Sequence, residues 1–256
     1  MKTLLASLAI VAAMFGSAHA QSGEPTIVLV HGAFADASSW NGVIEILEKD
    51  GYPVVAAANP LRGVRNDADY VADILSGLGS RVVLVGHSYG GSVISEAVSD
   101  DAEVKALVYV SAFAPEAGET AAGLAGKFPG STLGPALAPP VSLSGGGKDL
   151  YIRQDRFHDQ FAADVSDAEA RLMAATQRPI TEAALNEAQT GAAWKNIPSW
   201  FIYGDEDKNI PPEASAFMAA RAHARETVVV KGASHVVMVS NPETVAKLIE
   251  SAAEAE

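Results

Sequence analysis

The sequence predicts an α/β fold: a mostly parallel six-stranded sheet flanked by helices, with a helical cap insertion. Three observations predict it. Short runs rich in valine and isoleucine alternate with segments of helical spacing, which implies βαβ units. One such run, Val82-Val83-Leu84-Val85, leads into Gly86-His87-Ser88-Tyr89-Gly90-Gly91, a G-x-S-x-G turn. His31, Ser88, Asp205, Asp207 and His235 each follow the end of a predicted strand, the side on which parallel sheets place their ligands.

The first twenty residues stand outside this fold. Lys2 supplies a positive start, residues 4–15 are apolar, and Ala18-His19-Ala20 is an A-x-A cleavage pattern. The apolar run is too short to span a bilayer comfortably. The expectation is an exported protein, periplasmic or secreted, cut near Ala20.

Residues 26–30 form the first buried strand and run into His31-Gly32-Ala33-Phe34. Residues 40–50 have helical spacing, with Val43, Ile46 and Leu47 on one face and Gly51 at the stop. Residues 52–57 are the second strand and 67–78 the next helix, on Val71, Ile74, Leu75 and Leu78. The strand at 82–85 and its turn follow, then a helix from Ser92. Further strands are expected at 104–110, 199–203 and 226–230, and helices at 214–222 and 242–252. The alternation breaks at 114–194, so the core is 21–113 with 195–256. The break follows a strand, which puts the insertion over the carboxyl ends of the sheet. Within it, 157–163, 167–177 and 182–189 read as short helices, and Gly145-Gly146-Gly147 as a flexible loop. That loop lacks a P-loop pattern, so it is no phosphate cradle.

Composition narrows the function. The 256 residues, 48 % hydrophobic, suffice for one well-buried domain. There is no cysteine, so neither disulfides nor thiol chemistry contribute. The net charge is −13, and about −14 without the export segment. An acidic chain repels nucleic acid and anionic lipid, so neither a nucleic-acid partner nor a stable membrane association is expected. No metal-ligand spacing stands out, and no metal or other cofactor is expected. Nothing in the chain specifies an oligomeric state.

A serine hydroxyl needs a base, and the base needs an orienting acid. The glycines of the turn let Ser88 stand exposed on a tight strand-to-helix bend. Of six histidines, His235 alone sits in a loop directly after the last strand, free to reach Ser88. The acid is expected in Gly204-Asp205-Glu206-Asp207-Lys208, which offers three carboxylates. Serine, acid, histidine is the chain order of a known hydrolase arrangement.

With these residues in place, the chain resembles the α/β-hydrolase superfamily from about Thr26 to Ile249. More narrowly it resembles small capped bacterial serine esterases related to plant methyl-ester esterases and hydroxynitrile lyases. The likeness rests on His31-Gly32-Ala33, Gly86-His87-Ser88-Tyr89-Gly90-Gly91 and Ser234-His235, with support from Trp40 and Phe113-Ala114-Pro115. The resemblance implies Asp207 as the acid in preference to Asp205, because the family's acid follows the glycine by three residues. It implies oxyanion donors on the backbone of Ala33 and Tyr89, each such donor supplying about 3 kcal/mol of barrier lowering. Gly32 is expected to leave room for close approach of substrate, and His31 to brace its loop. The family's N-terminal hairpin has no room before Thr26.

The function expected is a serine carboxylic-ester hydrolase acting on a small-molecule, apolar ester of small or medium size. Activity should fall in acid as the histidine protonates. Lactonase or perhydrolase activity would use the same groups, and a ligand-binding protein on a hydrolase scaffold is the alternative from another class. Related lyases carry a threonine in place of Gly32 and a lysine in place of Val236, which speaks against lyase chemistry. Phe34, Phe113, Phe128, Phe157, Phe161, Met173 and Trp194 offer apolar surface to a pocket, with Phe34, Phe113 and Trp194 as the substrate-binding candidates.

Overall fold

The computed structural model describes residues 23–98 and 103–256. The expected export segment and its cleavage site near Ala20 lie outside the described residues. Along the chain run β1 (Thr26–Val30), α1 (Asn41–Lys49), β2 (Val54–Ala57), α2 (Val64–Leu78), β3 (Val82–His87), α3 (Gly90–Glu96) and β4 (Val104–Val110). The insertion follows, with α4 (Ala121–Ala125), α5 (Leu133–Ala136), β5 (Val141–Ser142), β6 (Lys148–Leu150), α6 (Gln154–Phe161), α7 (Asp167–Thr176), β7 (Ile180–Thr181) and α8 (Glu182–Asn186). The chain then returns to β8 (Ser199–Gly204), α9 (Pro212–Arg221), β9 (Glu226–Val230), α10 (Val237–Ser240) and α11 (Pro242–Glu254).

The main sheet has six strands in the order β2-β1-β3-β4-β8-β9, all parallel. From β1 the chain steps one way to β2, then crosses back over β1 to β3. Right-handed crossovers in opposite directions put α1 and α2 on opposite faces. α11 packs beside α1, and α3 beside α2. Strands covered on both faces should be apolar throughout, and every residue of β1 and β3 is buried. Each fully buried valine, leucine or isoleucine there contributes about 1.5–3 kcal/mol. α11 explains its own docking: Val245, Leu248, Ile249, Ala252 and Ala253 recur at three and four, and all are buried. β9 is an edge strand, and its Val229 is half exposed.

The reversal of direction is a switch point between β1 and β3, where a crevice opens at the carboxyl ends. Val30 pairs with Gly86 across it. The turn carrying Gly32 and Ala33 therefore lies beside the turn carrying Ser88.

The insertion differs from the helical expectation in several respects: α4 and α5 fall where no helix is expected, α6 begins at Gln154 instead of residue 157, and α8 ends at Asn186 instead of residue 189. β5, β6 and β7 form a small antiparallel sheet, and the glycine stretch is the β5–β6 hairpin turn, not a loose loop. Gly146 and Gly147 take φ of 90° and 85°, and the Leu143 and Gly146 amides close the turn on the Gly147 and Leu143 carbonyls. α2 also starts earlier than its apolar spacing predicts, at Val64 instead of residue 67. Among the described residues, no helix is long and apolar enough to cross a membrane.

Candidate active site

β3 ends at His87, and Ser88 follows with φ of 52°, in the left-handed region that a serine avoids. The surroundings hold it there. The Ser88 amide donates to the Val110 carbonyl (3.2 Å), and its own carbonyl accepts from Gly91 (3.0 Å) and Phe113 (3.1 Å). A Cβ at Gly90 would stand 2.4 Å from the Val30 carbonyl oxygen, so only glycine lets α3 start this close to β1. Gly32 fits the same logic. A Cβ there would meet the Ser88 Cβ at 2.6 Å, so its small size serves the protein's own packing at the nucleophile turn. That differs from the expected role of clearing space for substrate.

His235 lies in the loop after β9 and is buried. Its Nδ1 stands 2.7 Å from Oδ2 of Asp207. The other carboxylate oxygen of Asp207 accepts the Asn209 amide (2.8 Å) and the Ile210 amide (3.0 Å). Both side chains are almost wholly removed from water. With Nδ1–H donated to Asp207, Nε2 is left as the acceptor. Asp205, by contrast, is exposed and takes the Gly232 amide (2.5 Å). The structure thus brings Asp207, and not Asp205, to His235.

Aromatic rings close the site around His235. The Phe161 ring meets it edge-on at 5.1 Å, and the His87 ring lies 4.8 Å away. His87 donates from Nε2 to the His235 carbonyl (3.1 Å). Burial, reinforced by the neighbouring His235, holds His87 well below the usual imidazole range. His31 donates from Nδ1 to the Gly32 carbonyl (2.9 Å), fixing the turn after β1. The Phe34 amide is taken by the Arg178 carbonyl (2.9 Å). The Ala33 and Tyr89 amides have no hydrogen-bond partner among the described residues.

A family model described as "Alpha/beta hydrolase family" matches residues 27–248. The chain belongs to the α/β hydrolase family. This hydrolase is 27 % identical to Alpha/beta hydrolase nvfD of Aspergillus novofumigatus over 90 % of its own length and 97 % of the relative. It is 26 % identical to Salicylic acid-binding protein 2 of Nicotiana tabacum, over 88 % of this chain and 96 % of that one. Alpha-hydroxynitrile lyase of Arabidopsis thaliana is 25 % identical, over 88 % and 94 %. Among solved structures, polyneuridine aldehyde esterase superposes with a TM-score of 0.76 at 20 % identity, covering 89 % of this chain and 98 % of the other. An extracellular α/β-hydrolase from a Paenibacillus species gives 0.71 at 24 % identity, over 90 % and 100 %.

Within the hydrolase the candidate aromatics divide. Phe34 is buried next to the site, edge-on to Phe161 at 6.2 Å. It also lines a cleft of about 390 Å³ between the β1–α1 segment and α7, together with Leu172, Met173, Val239, Asp36 and Glu169. Phe113 is joined to the nucleophile turn through its amide. Trp194 lies elsewhere: it precedes the amino end of β8, donates its indole N–H to the Pro115 carbonyl (2.8 Å), and faces Arg221 and Lys195. It lines a separate surface cleft with Glu116, Lys195 and Arg221, apart from the cleft beside Phe34. Other residues emerge only from the structure. Asn59 and Asp67 bind groups beside the two turns, and Gln160 and Asn209 tie the insertion to the acid loop. Asp67 could be read from sequence only as an ordinary acid near a helix start. Among the described residues, no group of three or more histidine, aspartate or glutamate side chains could hold a metal ion.

Proposed function

We propose that this hydrolase is a serine carboxylic-ester hydrolase. The observation that carries the reading is the 2.7 Å bond between His235 Nδ1 and Asp207, buried against His87, which directly precedes a serine on a left-handed turn. In this reading Ser88 Oγ attacks the ester carbonyl carbon while His235 Nε2 takes its proton. Asp207 holds the imidazole tautomer and stabilises the imidazolium. The Ala33 and Tyr89 amides receive the oxyanion. Collapse expels the alcohol, which leaves with the proton from His235. Water then gives its proton to His235 and attacks the acyl-serine, and the carboxylic acid departs as Ser88 recovers its proton.

The cleft beside Phe34 suits an apolar group of modest size, because Phe34, Leu172, Met173 and Val239 line it. Two relatives bear names that support ester chemistry: Putative methylesterase 11, chloroplastic, and Methylesterase 9 of Arabidopsis thaliana. A second reading, ligand binding on a hydrolase scaffold, draws on the relative named for salicylic acid binding and on the near closure of Ser88, which is 7 % exposed.

One experiment separates the two. p-Nitrophenyl esters from C2 to C12 are offered to the wild type and to Ser88→Ala, beside a serine-directed fluorophosphonate. Saturable turnover that falls about 10⁴- to 10⁶-fold in the variant, with label on Ser88, is expected. Equal background rates in both proteins would overturn the esterase reading and leave binding.

A further inference from the structure

The two amides assigned to the oxyanion sit on different turns, and one segment, residues 59–67, reaches both. Asn59, fully buried after β2, donates from Nδ2 to the His31 carbonyl (2.9 Å), two residues before Ala33. Asp67, fully buried in the first turn of α2, accepts the Tyr89 hydroxyl at 2.9 Å. The carboxylate is itself gripped by the Arg62 amide (3.0 and 3.1 Å) and the Gly63 amide (3.4 Å). Burial raises the Asp67 carboxyl above its usual range, against the pull of these donors. Burial and the adjacent Asp67 also raise the Tyr89 hydroxyl, which therefore stays protonated and is the donor.

A buried carboxylate is costly unless donors satisfy it, and here the Tyr89 hydroxyl and two backbone amides do. Asp67 touches none of the groups that the ester mechanism uses directly. It holds the far end of the Tyr89 side chain, whose own amide is the oxyanion donor. The insertion fixes the same segment from outside. Arg62 binds Asp149 (2.7 Å) and the Pro179 carbonyl (2.7 Å), and Thr181 donates to the Arg62 carbonyl (3.1 Å).

We propose that Asp67 is the positioning residue of the oxyanion hole, its bond to the Tyr89 hydroxyl setting the direction of the Tyr89 amide, with Asn59 bracing the opposite turn. The proposal rests on the esterase reading above. Donors aimed at an oxyanion work over a narrow distance range, so anchoring the ring of the donor residue fixes the amide that matters.

The test uses Tyr89→Phe, Asp67→Asn and the double variant of the full chain. Three quantities are read: kcat and KM on a p-nitrophenyl ester, the rate of Ser88 labelling by a fluorophosphonate followed by intact mass, and Tm. Tyr89→Phe should lower kcat and labelling rate about tenfold with KM within about twofold, and Asp67→Asn, which keeps an acceptor but loses the charge, should lower them by less. In the double, the Asp67 change should add nothing to the loss seen in Tyr89→Phe, because without the hydroxyl the bond is already gone. Wild-type rates in a folded Tyr89→Phe protein, or losses that multiply in the double, would overturn the proposal. A wild type that labels Ser88 yet turns over no ester defeats the esterase reading alone, and the labelling rates still decide the role of Asp67. If Asp67→Asn does not fold, Tyr89→Phe, which removes a single oxygen, carries the test by itself.

Discussion

His87 and His31 flank the candidate nucleophile without room to be charged. Burial is the main cause for each, and it holds both below the ordinary imidazole value; the Gly32 carbonyl only partly offsets it at His31. The unfolded chain takes up protons at both below about pH 6.5, and the folded chain does not, so the unfolded state binds more protons there. Stability is therefore complete above that pH and declines as the pH drops below it, by up to about 1.4 kcal/mol per unit for each histidine. His87→Gln places an amide donor where Nε2 meets the His235 carbonyl but cannot titrate. Its urea midpoint should fall less than that of the wild type between pH 7 and pH 5, and parallel declines would refute this account. At this scale the sequence is legible where the pattern is local. Ser88 stands out because strand, glycine and serine are contiguous, and His235 because it alone follows the last strand. Asp207 could be favoured over Asp205 only through resemblance, since the difference between them is burial. Asp67 and Asn59 could not be read at all: their partners, Tyr89 and His31, lie over twenty residues away in the chain.

Among the elements, α6 does more than cover the site. Gln160, at its carboxyl end, donates to the Lys208 carbonyl (2.9 Å) and to Asn209 Oδ1 (3.2 Å), and accepts from Thr132 (2.9 Å). Asn209 answers by donating to the Gln160 carbonyl (3.2 Å). Residue 209 also supplies an amide to Asp207, so the helix and the acid loop move together. Gln160→Ala would strand these buried groups at a cost of about 1–3 kcal/mol. Hydrogen exchange over 205–212 should quicken and kcat should fall; unchanged exchange there would show the clamp to be idle. The positions of α6 and α7 follow from their apolar spacing. The β5–β7 sheet does not, because strands of two or three residues are too short to show a period. The early start of α2 is likewise hidden, because Asp67 satisfies the Arg62 and Gly63 amides from inside the helix, where no capping residue precedes it in sequence.

For the whole molecule, the order of strands could be inferred only as far as parallel and six. What places the site is the reversal between β1 and β3, a tertiary fact that no local pattern contains. It sets Ala33 against Ser88, while β8 and β9 deliver Asp207 and His235 from the far side of β4. The core pattern was readable because strands buried on both faces must be apolar throughout. The insertion was readable mainly as a break in that pattern.

The same strand order has a consequence for how the chain is made. β2, β1, β3 and β4 are complete by Val110, but 88 residues separate that point from Ser199, where β8 begins. Until then β4 keeps one bare ladder edge, with Leu107, Val108, Tyr109 and Val110 waiting for a partner. Closing so long a loop is slow relative to local pairing. In pulsed exchange during refolding, protection of β8 should lag behind that of β1 and β3, and simultaneous protection would refute the sequence of events. On the ribosome, the serine would emerge well before its base and acid. A product truncated between β4 and β8 would expose an apolar edge that invites pairing with another chain, so premature termination would yield aggregates in place of a weakened enzyme.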